Sequence, residues 1–239
     1  MANEQHFLDL FKKLEKYLRI EYSQGNYSYS GFMSTIYKIK KGNKNPLISN
    51  KYNFDILRQA SQIRNIISHN NDVVIPSEKF LDDFRKVVDK ICEPLKVGNI
   101  MVKFSKLKTA GLNASVGDVI YMLKEHGFNT IPIIDHNELM GVFTEKSAYD
   151  YLSMHKNISL TKDMKIKDIL ESIDLNSDPR KYFNFIGKDA SINEAYDCFT
   201  SDLKSRRELL LLLVTEEGEK EQKLLGIVAL RDIEKALFN

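Results

Sequence analysis

The sequence has little cysteine: only Cys92 and Cys198 occur among 239 residues, far apart and each within a helical pattern. Two such thiols do not form the disulfide framework of a small secreted domain, and no cysteine spacing typical of a zinc site is present. The scarcity therefore predicts reduced thiols, a cytoplasmic location and no bound metal.

Long hydrophobic runs are also absent. The segment MANEQHFLDLFKKLEKYL mixes charges into its apolar positions, and the longest apolar run, Leu209 to Val214, has six residues. A transmembrane helix needs about 20 apolar residues, so neither a membrane span nor a signal peptide fits. The six-residue run instead predicts a buried strand.

Several catalytic motifs are missing. The sequence has no phosphate-binding P-loop, no GxSxG nucleophile motif and no carboxylate pair at a useful spacing. Residues 1–95 carry 15 Lys+Arg against 11 Asp+Glu, within a whole chain of formal net charge +2. This basic excess is compatible with a polyanion partner such as RNA and does not require one.

The first part of the chain has the three-and-four spacing of amphipathic helices. It predicts four helices: Glu4 to Tyr22, 30–40, one that ends near His69, and Pro76 to Pro94. The basic segment 40–51 reads as a loop. Four helices of this kind predict a small bundle over residues 1–95.

In the remaining sequence, an order of helix, strand, turn, strand and helix occurs twice, over 114–152 and 190–237. Such a repeat indicates two copies of one structural unit. The second copy is longer by nine residues, because the offset between copies is 76 at Ala114 and 85 at Gly141. We assign these extra residues to the second hairpin and to the stretch Lys204 to Glu208.

The first copy resembles a CBS domain over most of its length. The segments that carry the resemblance are NIM at 99–101, IPIID at 131–135 and GVFT at 141–144, and KIKDIL at 165–170 opens the second copy. The resemblance implies an α+β fold, with two β-α-β-β-α modules, 96–158 and 159–239, related by a pseudo-twofold axis. In that family the pair leaves two clefts for adenine ligands such as AMP, ADP, ATP or S-adenosylmethionine.

The family's binding element is Gly-h-h-Thr/Ser-x-x-Asp/Asn, in which h is hydrophobic. The hydroxyl and the first helix amides hold phosphate, and the acid holds the ribose. The first copy keeps Thr144, followed by Lys146, but has Ser147 in place of the acid. The second copy keeps Asp232, preceded by Arg231, but has alanine in place of the hydroxyl.

The resemblance therefore implies phosphate contacts in one cleft and ribose and phosphate contacts in the other. The residues expected to line the base are Thr130, Ile131, Pro132, Phe185 and Lys188. In the alternative interpretation both half-motifs are structural. Thr144 is then only an N-cap, and Asp232 is a solvated acid in the first turn of a helix.

A second resemblance concerns Arg64-Asn65-Ile66-Ile67-Ser68-His69, near the end of the third predicted helix. This pattern on a helical bundle is similar to the HEPN family, in which it forms a metal-independent ribonuclease site, usually across a dimer. The resemblance implies that His69 moves a proton, Arg64 stabilises charge on phosphate and Asn65 orients either group. Because five helical positions place Arg64 and His69 about 140° apart, they share a face only if the helix ends between them. The run of His69, Asn70, Asn71 and Asp72 predicts that it does. Alternatively, Arg64 pairs with a carboxylate and His69 caps the helix.

These patterns predict a homodimeric cytoplasmic sensor, in which a CBS pair binds an adenine nucleotide and controls a HEPN-like domain. No cofactor is required and no membrane association is expected. Two other hypotheses remain: a ribonuclease under CBS control, which would bind RNA through its first domain, and an assembly module with clefts that bind nothing.

Overall fold

The computed structural model describes residues 2–22, 31–69, 74–155, 159–175, 182–204 and 209–238. The chain divides into two compact units, Met1–Leu95 and Lys96–Asn239. The helices of the first unit are α1 Ala2–Tyr22, α2 Phe32–Gly42, α3 Pro46–Ser49, α4 Lys51–His69 and α5 Glu78–Cys92. The helices of the second are α6 Val97–Ile100, α7 Val116–His126, α8 Ser147–Met154, α9 Ile192–Lys204 and α10 Leu230–Phe238, with 3₁₀ helices at Phe104–Lys106 and Ile166–Ser172. Its strands are β1 Val102–Lys103, β2 Thr130–Asp135, β3 Glu138–Thr144, β4 Phe183–Gly187, β5 Leu211–Thr215 and β6 Gly226–Val228.

The first unit is built on the apolar faces of α1 and α5. Both helices bury a residue every three or four positions: Phe7, Phe11, Leu14 and Leu18 on α1, and Leu81, Phe84, Val87, Val88 and Ile91 on α5. The ring centres of Phe7 and Phe84 are 5.4 Å apart. The spacing in the sequence thus predicts which residues of these helices form the core.

Segment 40–51 contains the one-turn helix α3, so the prediction of a loop was wrong. Asn45 is fully buried, and its side-chain oxygen accepts hydrogen bonds from the amides of Leu47 and Ile48 at 3.0 and 3.2 Å. Asn-Pro suits a turn or a helix start equally, and burial of Leu47 and Ile48 favours the helix. The described residues of this unit therefore form five helices instead of four.

The second unit mixes helices with two sheets. The first sheet has the order β1-β6-β5-β4, in which β4 and β5 are parallel and the other neighbours are antiparallel. The second is the antiparallel hairpin of β2 and β3. The predicted repeat is present as α7-β2-β3-α8 and α9-β5-β6-α10, and all five residues of β5 are buried, as its apolar run predicts.

The opening segment of each copy pairs with a strand of the other copy. β1, at the opening of the first copy, pairs with β6 of the second, while Asp174 of the second copy bridges to Gly141 on β3 of the first. Two further bridges repeat this symmetry, Lys96 with Ser191 and Lys165 with Ser115. The copies therefore complete each other's sheets, and the boundary predicted between residues 158 and 159 stays a prediction.

Gly141 and Gly226 lie where the exchanged backbones approach most closely. A Cβ on Gly226 would lie 2.5 Å from the carbonyl oxygen of Val102, and a Cβ on Gly141 would overlap the carbonyl oxygen of Ile173. That same Ile173 oxygen accepts a hydrogen bond from the Val142 amide at 3.1 Å. Glycine is needed at both positions because a side chain would separate the paired backbones.

The extra residues of the second copy fall in two places. Ile133 faces Gly141 in one hairpin, and Val214 faces Gly226 at the related position of the other. Seven residues lie between the first pair and eleven between the second, so four of the nine extra residues lengthen the second hairpin. The other five precede β5, where residues 205–208 lie outside the described part of the chain.

We expect Gly141→Ala and Gly226→Ala each to lower the free energy of unfolding by about 3 kcal/mol, because the new methyl group meets a backbone carbonyl of a paired segment. Gly111→Ala is the matched control, since the nearest atom to its Cβ is the Ile134 carbonyl oxygen at 3.7 Å. Urea unfolding followed by circular dichroism measures all three variants. Equal stability of Gly226→Ala and Gly111→Ala would contradict this account of the close approach.

Candidate functional site

The first half-motif forms a hydrogen-bonded turn between β3 and α8. Ser147 Oγ accepts a hydrogen bond from the Thr144 amide at 2.8 Å, and Thr144 Oγ1 accepts one from the Lys146 amide at 3.1 Å. The two hydroxyl oxygens are 3.2 Å apart, and the residues are only 1% and 3% exposed. α8 begins at Ser147, with Lys146 at its N-cap and no side-chain capping bond. The alternative in which Thr144 is the N-cap was therefore wrong, because the Thr144 hydroxyl binds an amide of the turn before the helix.

A residue from the second copy packs against this turn. The hydroxyl of Tyr182, just before β4, donates a hydrogen bond to Asp150 Oδ2 at 3.3 Å, and both residues are buried. The ammonium of Lys146 lies 5.6 Å from the centre of the Tyr182 ring, within cation–π range. Sequence reasoning missed Tyr182 and Asp150, because neither belongs to the binding element and only the packing of the two copies brings them together.

The second half-motif holds its acid in the related position. Asp232 Oδ2 accepts a hydrogen bond from the Ala229 amide at 2.9 Å, as Ser147 Oγ does from Thr144 in the first copy. Arg231, next to it in the first turn of α10, is exposed. The helix dipole also favours an acid at this end of α10, so this capping bond gives Asp232 a structural role.

The predicted base-lining residues on β2 have different environments. Thr130 is half-buried and lies opposite Thr144 in the hairpin, and Pro132 lies opposite Val142. Ile131 is fully buried in the apolar core of the first module. The hairpin therefore brings Thr130 close to Thr144, while the side chain of Ile131 is enclosed in the core.

Phe185 and Lys188 lie beside an acidic cavity. The cavity measures about 470 Å³, and its lining includes Phe185 and four carboxylate residues, Asp189, Glu194, Glu216 and Glu217. Lys188 Nζ is 2.5 Å from Glu216 Oε1, and this contact raises the pKa of the Lys188 ammonium above its ordinary value. The negative charge of this cavity disfavours a phosphate group there.

The Arg64 motif lies on α4 of the first unit. Arg64 and Asn65 line a cavity of about 340 Å³ together with Glu15 and Ser61, and Arg64 Nη1 donates a hydrogen bond to Asn65 Oδ1 at 3.5 Å. α4 continues from Arg64 through His69, so the helix end expected between these residues is absent. That expectation was wrong because the turn-forming run of Asn and Asp begins only after His69. The side chain of His69 lies outside the described part of the structure.

Within the residues that the structure describes, no three His, Cys, Asp or Glu side chains are placed to hold a metal ion, and no helix has the length and hydrophobicity of a membrane span. Burial raises the pKa of the Cys92 thiol to about 11. That thiol is therefore a weak nucleophile at neutral pH.

Comparison with known protein families finds a match to the first repeat. Residues 97–154 match the family model described as "CBS domain". No curated protein matches the chain. The family match thus covers the segment from α6 to the end of α8, including the first half-motif.

The chain is also similar to solved structures of CBS-domain proteins. One is CBSX2 in complex with AMP, with 22% identity, a TM-score of 0.43, and coverage of 59% of this chain and 94% of that one. Another is the CBS domain pair of MJ0100 in complex with 5′-methylthioadenosine and S-adenosyl-L-methionine, with 20% identity, a TM-score of 0.42, and coverage of 60% and 95%. A third is ATU1752 from Agrobacterium tumefaciens, with 18% identity, a TM-score of 0.41, and coverage of 59% and 97%.

We expect Tyr182→Phe to lower the free energy of unfolding by about 1 kcal/mol, because the buried Asp150 loses a hydrogen-bond donor. Tyr149→Phe is the matched control, since Tyr149 is 65% exposed and its loss of a hydroxyl should change stability by less than about 0.5 kcal/mol. Urea unfolding of both variants tests the difference. A Tyr182→Phe protein as stable as the control would show that this hydrogen bond contributes nothing.

Proposed function

We propose that the second unit is a CBS pair that binds an adenine nucleotide and regulates the first unit. The observation that carries the proposal is the match of residues 97–154 to the CBS domain family. The repeat supports extending this assignment to the second copy, because the two copies share their element order and exchange their opening segments.

The chemistry at the start of α10 suits a nucleotide. The bond from the Ala229 amide uses only Oδ2 of Asp232, and a carboxylate has capacity to accept further hydrogen bonds from ribose hydroxyls. Arg231 is exposed beside it and supplies a charge-assisted partner for phosphate. The amides at the helix start add a positive dipole.

Regulation requires that the ligand bind two conformations with different affinity. Lys96, the first residue of the second unit, is held to the second copy by an ion pair with Asp189 at 2.7 Å and by a bridge to Ser191. The chain therefore enters the second unit through a contact with the copy that carries Asp232. If one conformation of that copy binds the nucleotide more tightly, the nucleotide would favour one conformation of this junction and thereby change the state of the first unit. We propose that the first unit is HEPN-like and acts as a homodimer.

A second candidate function is cleavage of RNA by the first unit. The observation that favours it is the cavity lined by Arg64 and Asn65. Arginine keeps its charge at all working pH values and stabilises the developing charge on a phosphate. Because the continuous α4 places Arg64 and His69 of one chain about 140° apart, the proton transfer would be carried by His69 of a second copy in a homodimer. The adenine ligand of the second unit would then control this activity.

We expect AMP, ADP, ATP or S-adenosylmethionine to raise the thermal unfolding midpoint of the purified chain. A ligand at a hundred times its dissociation constant adds about 2.7 kcal/mol to the free energy of unfolding. Asp232→Ala should abolish the shift, and Asp163→Ala, which removes an exposed acid elsewhere in the same unit, should leave it unchanged. No shift with any of the four compounds would count against nucleotide sensing.

For the ribonuclease candidate, we expect the chain to cleave single-stranded RNA without added metal, and Arg64→Ala or His69→Ala to reduce the rate by about 100-fold or more. Arg58→Ala is the matched control, since Arg58 is an exposed arginine on the same helix that pairs with Asp55. Gel analysis of a labelled RNA in the presence of EDTA measures the rate. Cleavage that survives both substitutions would come from a contaminant and would remove this candidate.

A further inference from the structure

The repeat relates the two clefts residue by residue, and it shows that their polar groups differ. With the offset of 85 at Gly141 and Gly226, Thr144, Lys146, Ser147 and Asp150 correspond to Ala229, Arg231, Asp232 and Lys235. Before the first helix of each copy the offset is 76. Ala110 bridges to Ile133 in the first copy, and Ile186 forms the related pair with Val214 in the second, so Ala110 corresponds to Ile186. Tyr182 therefore corresponds to Lys106.

The packing supports this correspondence. Phe183, next to Tyr182, lies in one apolar cluster with Val142 of β3. The related residues Leu107 and Ile227 pack against the same cluster. Each opening segment therefore meets the strand before the binding element of the other copy, which places Tyr182 at the first element and Lys106 at the second.

The first cleft is closed by groups of the chain itself. Tyr182 and Asp150 are 7% and 8% exposed and are joined by the 3.3 Å hydrogen bond. Thr144 and Ser147 are enclosed more completely, and their hydroxyls accept hydrogen bonds from local amides. A ligand that used these hydroxyls would first have to displace the Tyr182 side chain from its contact with Asp150.

The second cleft, in contrast, has exposed charged side chains. Lys106, Arg231 and Lys235 are all exposed, and Asp232 is half-buried. Three cations and one carboxylate stand where the first cleft has one cation, Lys146, and one carboxylate, Asp150. Electrostatic attraction therefore favours an anionic ligand in the second cleft, and it grows with the number of phosphate groups.

We propose that Tyr182 closes the first cleft and that the second cleft, with Lys106, Arg231, Asp232 and Lys235, is the single site for a phosphorylated adenine nucleotide. This inference rests on the proposed function and specifies its site, stoichiometry and ligand class. S-adenosylmethionine has a sulfonium cation and no phosphate, so the second cleft discriminates against it and binds ATP more tightly than adenosine.

Calorimetric titration of the full chain with ATP, AMP, adenosine and S-adenosylmethionine tests the site. We expect one ATP per chain, and a loss of affinity of about tenfold or more in both Lys106→Glu and Arg231→Glu, as for one charge-assisted hydrogen bond. Lys124→Glu, an exposed substitution in the last turn of α7, is the matched control and should keep the wild-type affinity. Circular dichroism checks that each variant is folded.

The outcomes separate this inference from the proposed function. Two ATP sites per chain, or a Lys146→Glu protein weakened as much as Arg231→Glu, would overturn the inference and leave nucleotide sensing standing. Tighter binding of S-adenosylmethionine than of ATP would do the same. Binding of none of the four compounds would overturn both.

Thiol labelling tests the closure directly. In a chain whose Cys92 and Cys198 are replaced by serine, Ser147→Cys should react slowly with a maleimide, and adding Tyr182→Ala should speed the reaction by about tenfold or more. If Ser147→Cys reacts equally fast with and without Tyr182, the first cleft is open and the role given to Tyr182 is wrong.

Discussion

The second unit depends on the close approach of backbones at Gly141 and Gly226. At each glycine, the opening segment of one copy lies against a strand of the other, at a distance that leaves no room for a Cβ. This contact adds β1 to the larger sheet and ties the residues after the second 3₁₀ helix to β3. The glycines open the two half-motifs, so the feature that joins the copies also positions these residues.

An apolar layer lies between the two copies. Val142, Phe183, Leu213 and Leu224 lie in one cluster, with Leu107 and Ile227 packed against it. Burial of this layer stabilises the contact between the copies. Tyr182 is a buried member of this cluster, whereas Lys106, at the related position of the other copy, is exposed. The closed first cleft and the positively charged second cleft that we propose are two arrangements on one scaffold.

Sequence periodicity predicted most of the fold, and the reasons are local. The spacing on α1 and α5 and the apolar run of β5 each depend on neighbouring residues only. The Asn45-Pro46 helix start was missed because its sequence also suits a turn. Likewise, the expectation of a helix end between Arg64 and His69 was wrong, since α4 continues until the polar run begins.

The sequence by itself determined the repeat, the half-motifs and the nine-residue growth of the second copy, because these are properties of order and spacing along the chain. Only the tertiary structure decided which strand each opening segment joins, and hence that Tyr182 reaches Asp150 across 32 positions. It also decided that Ile131 faces the core and that Lys188 pairs with Glu216. Contacts between residues far apart in the sequence depend on how the sheets pack, and no local pattern of residue types encodes them.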